Sequence, residues 1–245
     1  MLVVLLGAES TGKSSLATAL VQHFKANGHH ASQVDEYLRQ WCIDSQRTPM
    51  PQEQAGIALE QTARIAAALQ KSMQATTEAS AANTTSKPES KSIVVADTSA
   101  LMVSVYSDYL FNDQSLYTDA LAQLRSADHI LLMGLDVAWQ ADGMQRDGAH
   151  VRAPVDTLIR QALSSAGLQF SSVYGLGAQR LQNAVQSINT TQLIANNGHM
   201  TVTLPENSVN LPKTAWKWIC DKCSDPVCEH QLFSKLIGAR QGLPP

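Results

Sequence analysis

The first apolar run of the chain, Leu2 to Leu6, is five residues long and ends at a glycine. Short runs of this kind, rich in Leu and Val, are typical of strands that are buried on both faces of a parallel sheet. From Lys13 onward, apolar residues recur at positions 16, 17, 20, 21 and 24. This spacing predicts an amphipathic helix. The chain therefore begins with a strand, a loop and a helix.

Four further segments have the apolar character of strands, and they alternate with helical patterns. The strand candidates lie within residues 31–41, 92–98, 128–136 and 168–177, and the helix candidates are residues 51–74, 153–167 and 178–188. This alternation predicts an α/β fold with a parallel, five-stranded sheet, right-handed crossovers and helices on both faces. In such a sheet, ligands bind at the carboxyl ends of the strands.

One long segment interrupts this alternation. Residues 75–92 are rich in Ser, Thr and Ala and nearly devoid of large apolar side chains. We therefore expect a flexible surface insertion there. The strand candidate that follows belongs to the same core, so residues 1–190 are assigned to one domain. Residues 191–245 form a predicted C-terminal extension.

The loop between the first strand and the first helix carries the most specific motif of the chain. Gly7, Gly12, Lys13 and Ser14 match the P-loop pattern G-x-x-x-x-G-K-[ST]. The glycines let backbone N–H groups curl around a phosphate, Lys13 supplies charge to the phosphate oxygens, and the Ser14 hydroxyl is a ligand for Mg²⁺. The motif thus predicts ATP and Mg²⁺ as cofactors. The whole loop is expected to hold the nucleotide: Gly7, Ala8, Glu9, Ser10, Thr11, Gly12, Lys13, Ser14 and Ser15.

Carboxylates stand at the predicted carboxyl ends of two other strands. Asp97 closes an apolar run, where a carboxylate orients Mg²⁺ in P-loop enzymes. Asp35 and Glu36 follow the second strand candidate, and either is placed to take the proton of an acceptor hydroxyl or to align that hydroxyl with the γ-phosphate. As an alternative, an acidic residue at the end of a strand simply caps the next helix.

Two arginines, Arg146 and Arg152, follow the fourth strand candidate together with a Trp and an Asp-Gly turn. Small-molecule kinases place a lid at this point, and an arginine that arrives on closure stabilises the transition state. We expect Arg146 to act in catalysis and Arg152 to contact the nucleotide. A solvated polar loop is the alternative interpretation.

The composition narrows the class of protein. Of the 245 residues, 44% are apolar and 16% are charged, an ordinary balance for a soluble globular protein. The net charge of −3 gives no basic footprint for nucleic acid. The apolar start is too short for a membrane anchor, lacks the basic region of a signal peptide and runs directly into the P-loop motif. A cytoplasmic protein without membrane or nucleic-acid partners is therefore expected.

Three of the four cysteines lie close together near the end of the sequence. Cys220, Cys223, Cys228 and His230 follow the spacing C-x2-C-x4-C-x-H, a set of ligands suited to tetrahedral Zn²⁺. A site closed by four protein ligands leaves no open position for catalysis, so zinc would have a structural role here. The alternative is a reduced tail whose aromatic residues pack on the core.

Five segments in sequence order resemble the ribosylnicotinamide kinase domain of the NadR-type NAD-biosynthesis proteins: LLGAESTGKSSLA, DEYLRQW, VVADTSALMVSVYSDYLF, LLMGLDVAWQADGMQR and VYGLGAQRLQNAV. This family also occurs as stand-alone ATPases with an AAA-type ATP-binding domain. The resemblance covers about residues 1–190 and implies that the P-loop holds ATP, that Asp97 serves Mg²⁺, and that Glu36 and Arg39 face the acceptor. It further implies a lid region comprising Trp139, Asp142, Arg146 and Arg152.

Two classes of function remain open. The first is a kinase that transfers the γ-phosphoryl group of ATP to the 5′-hydroxyl of nicotinamide riboside. Its predicted acceptor surface comprises Asp35, Glu36, Tyr37, Arg39, Trp41, Trp139 and Asp142. The second is a partner-coupled regulatory ATPase with water as the acceptor. The sequence favours the kinase and leaves the nucleoside, the choice between ATP and GTP, and the oligomeric state open.

Overall fold

The computed structural model describes residues 1–82, 91–140 and 148–196, all within one compact unit, Met1–Met200. These residues form a sheet with helices on either side. The strands are β1 (Leu2–Leu6), β2 (His30–Val34), β3 (Ser92–Ala96), β4 (His129–Met133) and β5 (Ser171–Val173). The helices are α1 (Lys13–Ala26), α2 (Tyr37–Ser45), α3 (Gln54–Ala82), α4 (Ala100–Phe111), α5 (Tyr117–Leu124), α6 (Arg152–Ser165) and α7 (Gly177–Asn196). Short 3₁₀ turns, Pro51–Glu53 and Ala149–Val151, precede α3 and α6.

The five strands are parallel and lie in the order β2-β3-β1-β4-β5. The chain moves from the central strand β1 to one edge and back through β3, and then crosses to β4 and β5 on the other side. The carboxyl ends of β1 and β3 therefore meet where the strand order reverses, which is the usual ligand-binding position in an open parallel sheet. The predicted fold class is confirmed.

Both faces of the sheet are covered, as predicted from the continuous apolar strands. Along β1, Leu2, Val4 and Leu6 pack in one core with residues of α3, α4, α5 and α6. The alternating residues Val3 and Leu5 pack in a second core with α1 and α7. Full burial of a Leu or Val side chain stabilises a fold by roughly 1.5–3 kcal/mol. This packing holds the residues that follow β1 on a rigid base.

The helix pattern predicted after Lys13 is confirmed. The five apolar residues of α1 that the spacing selects are all buried: Leu16, Ala17, Leu20, Val21 and Phe24. They face the second core, so α1 is fixed along its whole length beside β1. Its first residue is consequently held where the P-loop ends.

Two helices extend past boundaries that were predicted from the sequence. Helix α3 continues to Ala82 and so occupies the first eight residues of the segment expected to be a flexible insertion. An Ala-rich sequence has high helix propensity even where it has few large side chains to bury. Helix α7 likewise continues past residue 190 to Asn196.

The predicted C-terminal zinc ligands, Cys220, Cys223, Cys228 and His230, lie outside the described residues. Within the described ranges, no helix combines the length and the apolar character needed to cross a membrane.

Candidate nucleotide and acceptor site

The P-loop adopts the conformation that its glycines permit. Gly7 and Gly12 have φ angles of +153° and +80°, values that residues other than glycine rarely adopt. A Cβ on Gly7 would also lie 2.8 Å from the Cβ of Met133 on β4. Gly12 is the N-cap of α1, so the loop ends at the N-terminus of a helix whose dipole favours a bound phosphate.

A cavity of about 550 Å³ opens beside this loop. One side of the cavity is the predicted nucleotide-binding segment, Glu9, Ser10, Thr11, Gly12, Lys13, Ser14 and Ser15, together with Asp97. The other side comes from β2, α2 and α3 and consists of Gln33, Asp35, Glu36, Arg39, Gln40, Ile43 and Arg64. The phosphate-binding loop and the carboxylates predicted for the acceptor thus share one cavity.

Lys13 lies on the cavity wall with its side chain folded back along the loop. The ammonium group donates hydrogen bonds to the carbonyl oxygens of Gly7, at 2.8 Å, and Ala8, at 3.0 Å. The Thr11 hydroxyl donates to the same Ala8 carbonyl at 2.7 Å. These contacts keep a positive charge at the loop, where the sequence predicts phosphate oxygens.

Asp97 lies at the carboxyl end of β3 and is 3% exposed. Its Oδ1 atom has no hydrogen-bond partner in the part of the chain that the structure describes. Burial raises the pKa of this carboxyl, while a hydrogen bond with Ser14 and the charge of Lys13 act in the opposite direction. A buried carboxylate with an unused oxygen beside a hydroxyl suits a hard cation, which prefers oxygen ligands.

The donor set fits Mg²⁺ better than a metal that requires a full protein cage. Within the described residues, no group of three or more His, Cys, Asp and Glu side chains is arranged to hold an ion. Mg²⁺ commonly takes only one or two protein ligands and completes its shell with phosphates and water. Ser14 and Asp97 match that requirement.

The structure bears on the capping alternative for Asp97 and Glu36. Ser99, two residues later, is the N-cap of α4, and its hydroxyl accepts a hydrogen bond from the Leu101 N–H at 3.3 Å. Asp97 is therefore not needed as the cap. Glu36 is the N-cap residue of α2, but its side chain makes no capping hydrogen bond. Its carboxylate instead lies 3.6 Å from the Arg39 guanidinium.

The turn that carries Asp35 and Glu36 is held by a residue that the sequence did not single out. Gln61 on α3 is 1% exposed. Its amide oxygen accepts from the Tyr37 N–H at 2.7 Å, and its amide nitrogen donates to the Asp35 carbonyl at 3.3 Å. Gln61 thus satisfies backbone groups on both sides of Glu36 and fixes the direction in which α2 begins.

The predicted aromatic residues contact other parts of the protein. Tyr37 and Trp41 pack against the first core, and neither is among the described residues that line the cavity. The Trp139 indole N–H donates to the Glu9 carboxylate at 2.8 Å. The same oxygen accepts from the Gly148 N–H at 2.9 Å. Glu9, inside the P-loop, therefore contacts two positions, Trp139 and Gly148, of the segment predicted to form the lid.

The remaining predicted lid residues are only partly described. Asp142 and Arg146 lie outside the described residues. Arg152 begins α6, is 8% exposed, and donates from Nη2 to the Leu135 carbonyl at 3.3 Å. It is not among the described residues that line the cavity.

Arg180 connects three parts of the site, although no motif pointed to it. It lies on α7 and is 4% exposed. Its guanidinium donates to the Thr11 carbonyl of the P-loop, to the Gly175 carbonyl at 2.7 Å and to the Asp136 carboxylate. The other Asp136 oxygen accepts from the Gly175 N–H at 2.6 Å. The P-loop is thereby tied to the residues that follow β4 and β5.

The chain matches a known protein family over the residues that form this site. A family model described as an AAA domain matches residues 2–180, which include the P-loop, Asp97 and Arg180. The chain belongs to this AAA domain family. Among curated proteins, none matches this chain, hereafter called the AAA domain, at a significant level.

Two solved structures of NadR proteins share the fold of this AAA domain. One is the crystal structure of a NadR protein in complex with NR, with a TM-score of 0.56. The other is a NadR protein in complex with NAD and AMP-PNP, with a TM-score of 0.51. Both are 18% identical and cover 78% of this chain. The AAA domain spans about half the length of these proteins, 51% and 49%. The likeness confirms the resemblance at the level of the fold.

We predict that Arg180→Ala both destabilises the AAA domain and weakens its binding of ATP. The change removes the hydrogen bonds that the buried Arg180 guanidinium donates. This loss should lower the free energy of unfolding by about 2 kcal/mol. The KM for ATP should rise more than kcat falls, because Arg180 contacts the P-loop and not the reacting atoms. Urea denaturation and steady-state kinetics measure the two effects.

Arg125→Ala is the matched control. Arg125 is exposed and donates to one backbone carbonyl, that of Ala166, at 2.9 Å. Equal effects of the two substitutions on unfolding and on the KM for ATP would show that Arg180 has no special part in holding the P-loop. Arg180→Lys, which keeps the charge without the branched fork, should fall between the parent and Arg180→Ala.

Proposed function

We propose that the protein is an ATP-dependent kinase that phosphorylates the 5′-hydroxyl of nicotinamide riboside to give nicotinamide mononucleotide. The observation that carries this proposal is the single cavity bounded by the P-loop on one side and by Asp35, Glu36 and Arg39 on the other. A kinase needs donor and acceptor in one enclosure, so that the hydroxyl can approach the γ-phosphate in line. The fold shared with NadR structures that hold NR and AMP-PNP supports the same assignment.

The donor side follows from the P-loop. The backbone N–H groups and Lys13 would hold the phosphates, and Arg180 would keep the loop in shape from behind. Ser14 and Asp97 would hold Mg²⁺, which when bound neutralises charge on the phosphate oxygens. The rest of the chemistry lies on the acceptor side.

Glu36 is the candidate for the group that takes the acceptor proton. Its side chain is 21% exposed, makes no capping hydrogen bond, and lies on the cavity wall near Arg39. In the proposed step the 5′-oxygen bonds to the γ-phosphorus as the bond from that phosphorus to the bridging oxygen of ADP breaks. The hydroxyl proton passes to the Glu36 carboxylate, and ADP leaves.

We expect Glu36→Gln to suppress riboside-stimulated ADP formation while it leaves ATP affinity nearly unchanged. An amide cannot accept the proton, and loss of a general base lowers a rate by about 100-fold or more. ADP release by the parent and by the variant, with and without nicotinamide riboside, measures the effect. Equilibrium binding of an ATP analogue provides the affinity.

Asp119→Asn, an exposed carboxylate on α5 away from the cavity, is the control and should behave like the parent. If Glu36→Gln keeps the full stimulated rate, Glu36 is not the base. If no nucleoside stimulates the parent, but a protein partner or nucleic acid does, the function is instead that of a partner-coupled ATPase.

A further inference from the structure

Arg64, on α3, lines the cavity together with Gln33 and Asp35, on the side proposed for the acceptor. Its guanidinium is held in two ways. The group stacks over the Tyr37 ring, 4.3 Å from the centroid, and its Nε donates to the Glu60 carboxylate at 2.9 Å. A guanidinium fixed by stacking and by Nε keeps a constant orientation, so a ligand that binds it need not restrict the side chain further.

The two terminal nitrogens of Arg64 make no hydrogen bond within the described part of the chain; its polar contact there is that of Nε with Glu60. A guanidinium that stands with both terminal N–H groups available is suited to bidentate binding of a planar group with oxygen acceptors. Because Arg64 lines the cavity on the side proposed for the acceptor, an oxygen of the acceptor is the partner expected for its two terminal nitrogens.

A second stacked arginine, Arg47, differs from Arg64 in that its two terminal nitrogens bind a carboxylate of the protein itself. Arg47 lies over the Trp41 ring, 4.9 Å from its centroid. Its two terminal nitrogens donate to the Glu53 carboxylate at 2.7 and 2.6 Å. Arg47 is not among the described residues that line the cavity.

A third stacked arginine, Arg160, also has its nitrogens occupied within the protein. Its guanidinium lies 5.8 Å from the Phe170 centroid. The Nε atom donates to the Asp156 carboxylate at 2.7 Å, and Nη1 donates to the Ser172 hydroxyl at 3.3 Å. Of the three stacked arginines in the described residues, Arg64 is the one that combines an open fork with a place on the cavity wall.

We propose that Arg64 determines acceptor specificity by binding a carbonyl or carboxylate oxygen on the base of the riboside. This inference rests on the proposed kinase function and narrows its substrate class to ribosides whose planar base carries such an oxygen. Glu60, which is paired with Arg64, offsets part of the positive charge of the guanidinium, so a cationic pyridinium ring can bind near Arg64. A carboxylate offers two oxygens to the fork and should be preferred over a carboxamide, which offers one.

The test combines deletion of the side-chain fork with deletion of the ligand group. The kcat/KM of the parent and of Arg64→Gln is measured with three acceptors: nicotinic acid riboside, nicotinamide riboside, and pyridinium riboside without the substituent. Arg64→Gln should lower kcat/KM for the two oxygen-bearing acceptors by about 10-fold or more, with the larger loss for the carboxylate. The loss for the unsubstituted riboside should be much smaller.

Arg47→Gln is the matched control, because it removes an arginine that is stacked on an aromatic ring and paired with a glutamate outside the cavity. It should change none of the three values. Equal losses for all three acceptors with Arg64→Gln, or the same pattern with Arg47→Gln, would overturn the role of Arg64 while the kinase function stands. If the parent phosphorylates none of the three ribosides, the proposed function fails and the inference fails with it.

Discussion

Changing Lys13 to Ala is expected to lower kcat/KM for ATP by at least about 100-fold, a loss typical of removing one preorganised charge from a reacting phosphoryl group. The structure holds the Lys13 ammonium group against the carbonyls of Gly7 and Ala8, at the mouth of the P-loop. The group lies on the cavity wall and not in a core, so the fold should survive the change. ADP release and far-UV circular dichroism measure the two outcomes.

Lys25→Ala is the control for this experiment. Lys25 lies in the last turn of the same helix, is exposed and is not among the described residues that line the cavity beside the P-loop. Near-normal turnover by Lys13→Ala, or an equal loss with Lys25→Ala, would contradict the assignment of the phosphate-binding loop.

Asp97→Asn is expected to lower Mg²⁺-dependent kcat/KM by at least about 100-fold, because the proposed role of Asp97 is that of a charged Mg²⁺ ligand at the site of phosphoryl transfer. The same change should raise the Tm of the ligand-free protein at pH 7. Burial raises the pKa of the Asp97 carboxyl above that of an unfolded chain. The contribution of this group to stability is therefore present at acid pH and is lost as the pH rises through the folded pKa. Asparagine, which stays neutral, avoids that loss.

The Tm difference between Asp97→Asn and the parent should consequently narrow as the pH falls toward about 4, near the ordinary pKa of an aspartate. Asp113→Asn provides a control of opposite sign. The Ser115 N–H donates to the Asp113 carboxylate and lowers its pKa, so this substitution should reduce Tm at pH 7. An Asp97→Asn protein that melts below the parent at pH 7, or that has an unchanged Mg²⁺ titration, would contradict the role given to Asp97.

The strands and the P-loop were predictable because each has a strong local signal. A short apolar run followed by a glycine-rich motif identifies β1 and the phosphate-binding loop without any other part of the chain. The order of strands in the sheet has no such signal. Right-handed crossovers fix the hand of each connection, but they leave open on which side of β1 each later strand is added.

Two helices, α4 and α5, could not be found from periodicity. The first six residues of α4 are all buried, so its apolar residues are not confined to one face of the helix. Helix α5 has only eight residues, too few for a clear period of 3.6.

The residues of the site that sequence reasoning missed are polar side chains on helices. Gln61, Arg64 and Arg180 lie on α3 and α7, where a Gln or Arg is ordinary surface composition. Each one acts on a partner that is distant in sequence, as when Arg180 contacts Thr11 across 169 positions. For Arg180 two weak signals were available: it lies in the VYGLGAQRLQNAV segment that carries the family resemblance, and α7 starts at the carboxyl end of a strand, near the ligand-binding edge of the sheet.

The fate of the γ-phosphoryl group is the sharpest test of the proposal that one cavity brings ATP and a riboside together for phosphoryl transfer. The protein is incubated with Mg²⁺, γ-labelled ATP and nicotinamide riboside, and the label in the nucleotide product is compared with the label in free phosphate. The proposed kinase activity predicts that most of the label appears as nicotinamide mononucleotide, and that little ATP is consumed without the riboside. Label that accumulates as free phosphate at the same rate with and without the riboside would contradict it.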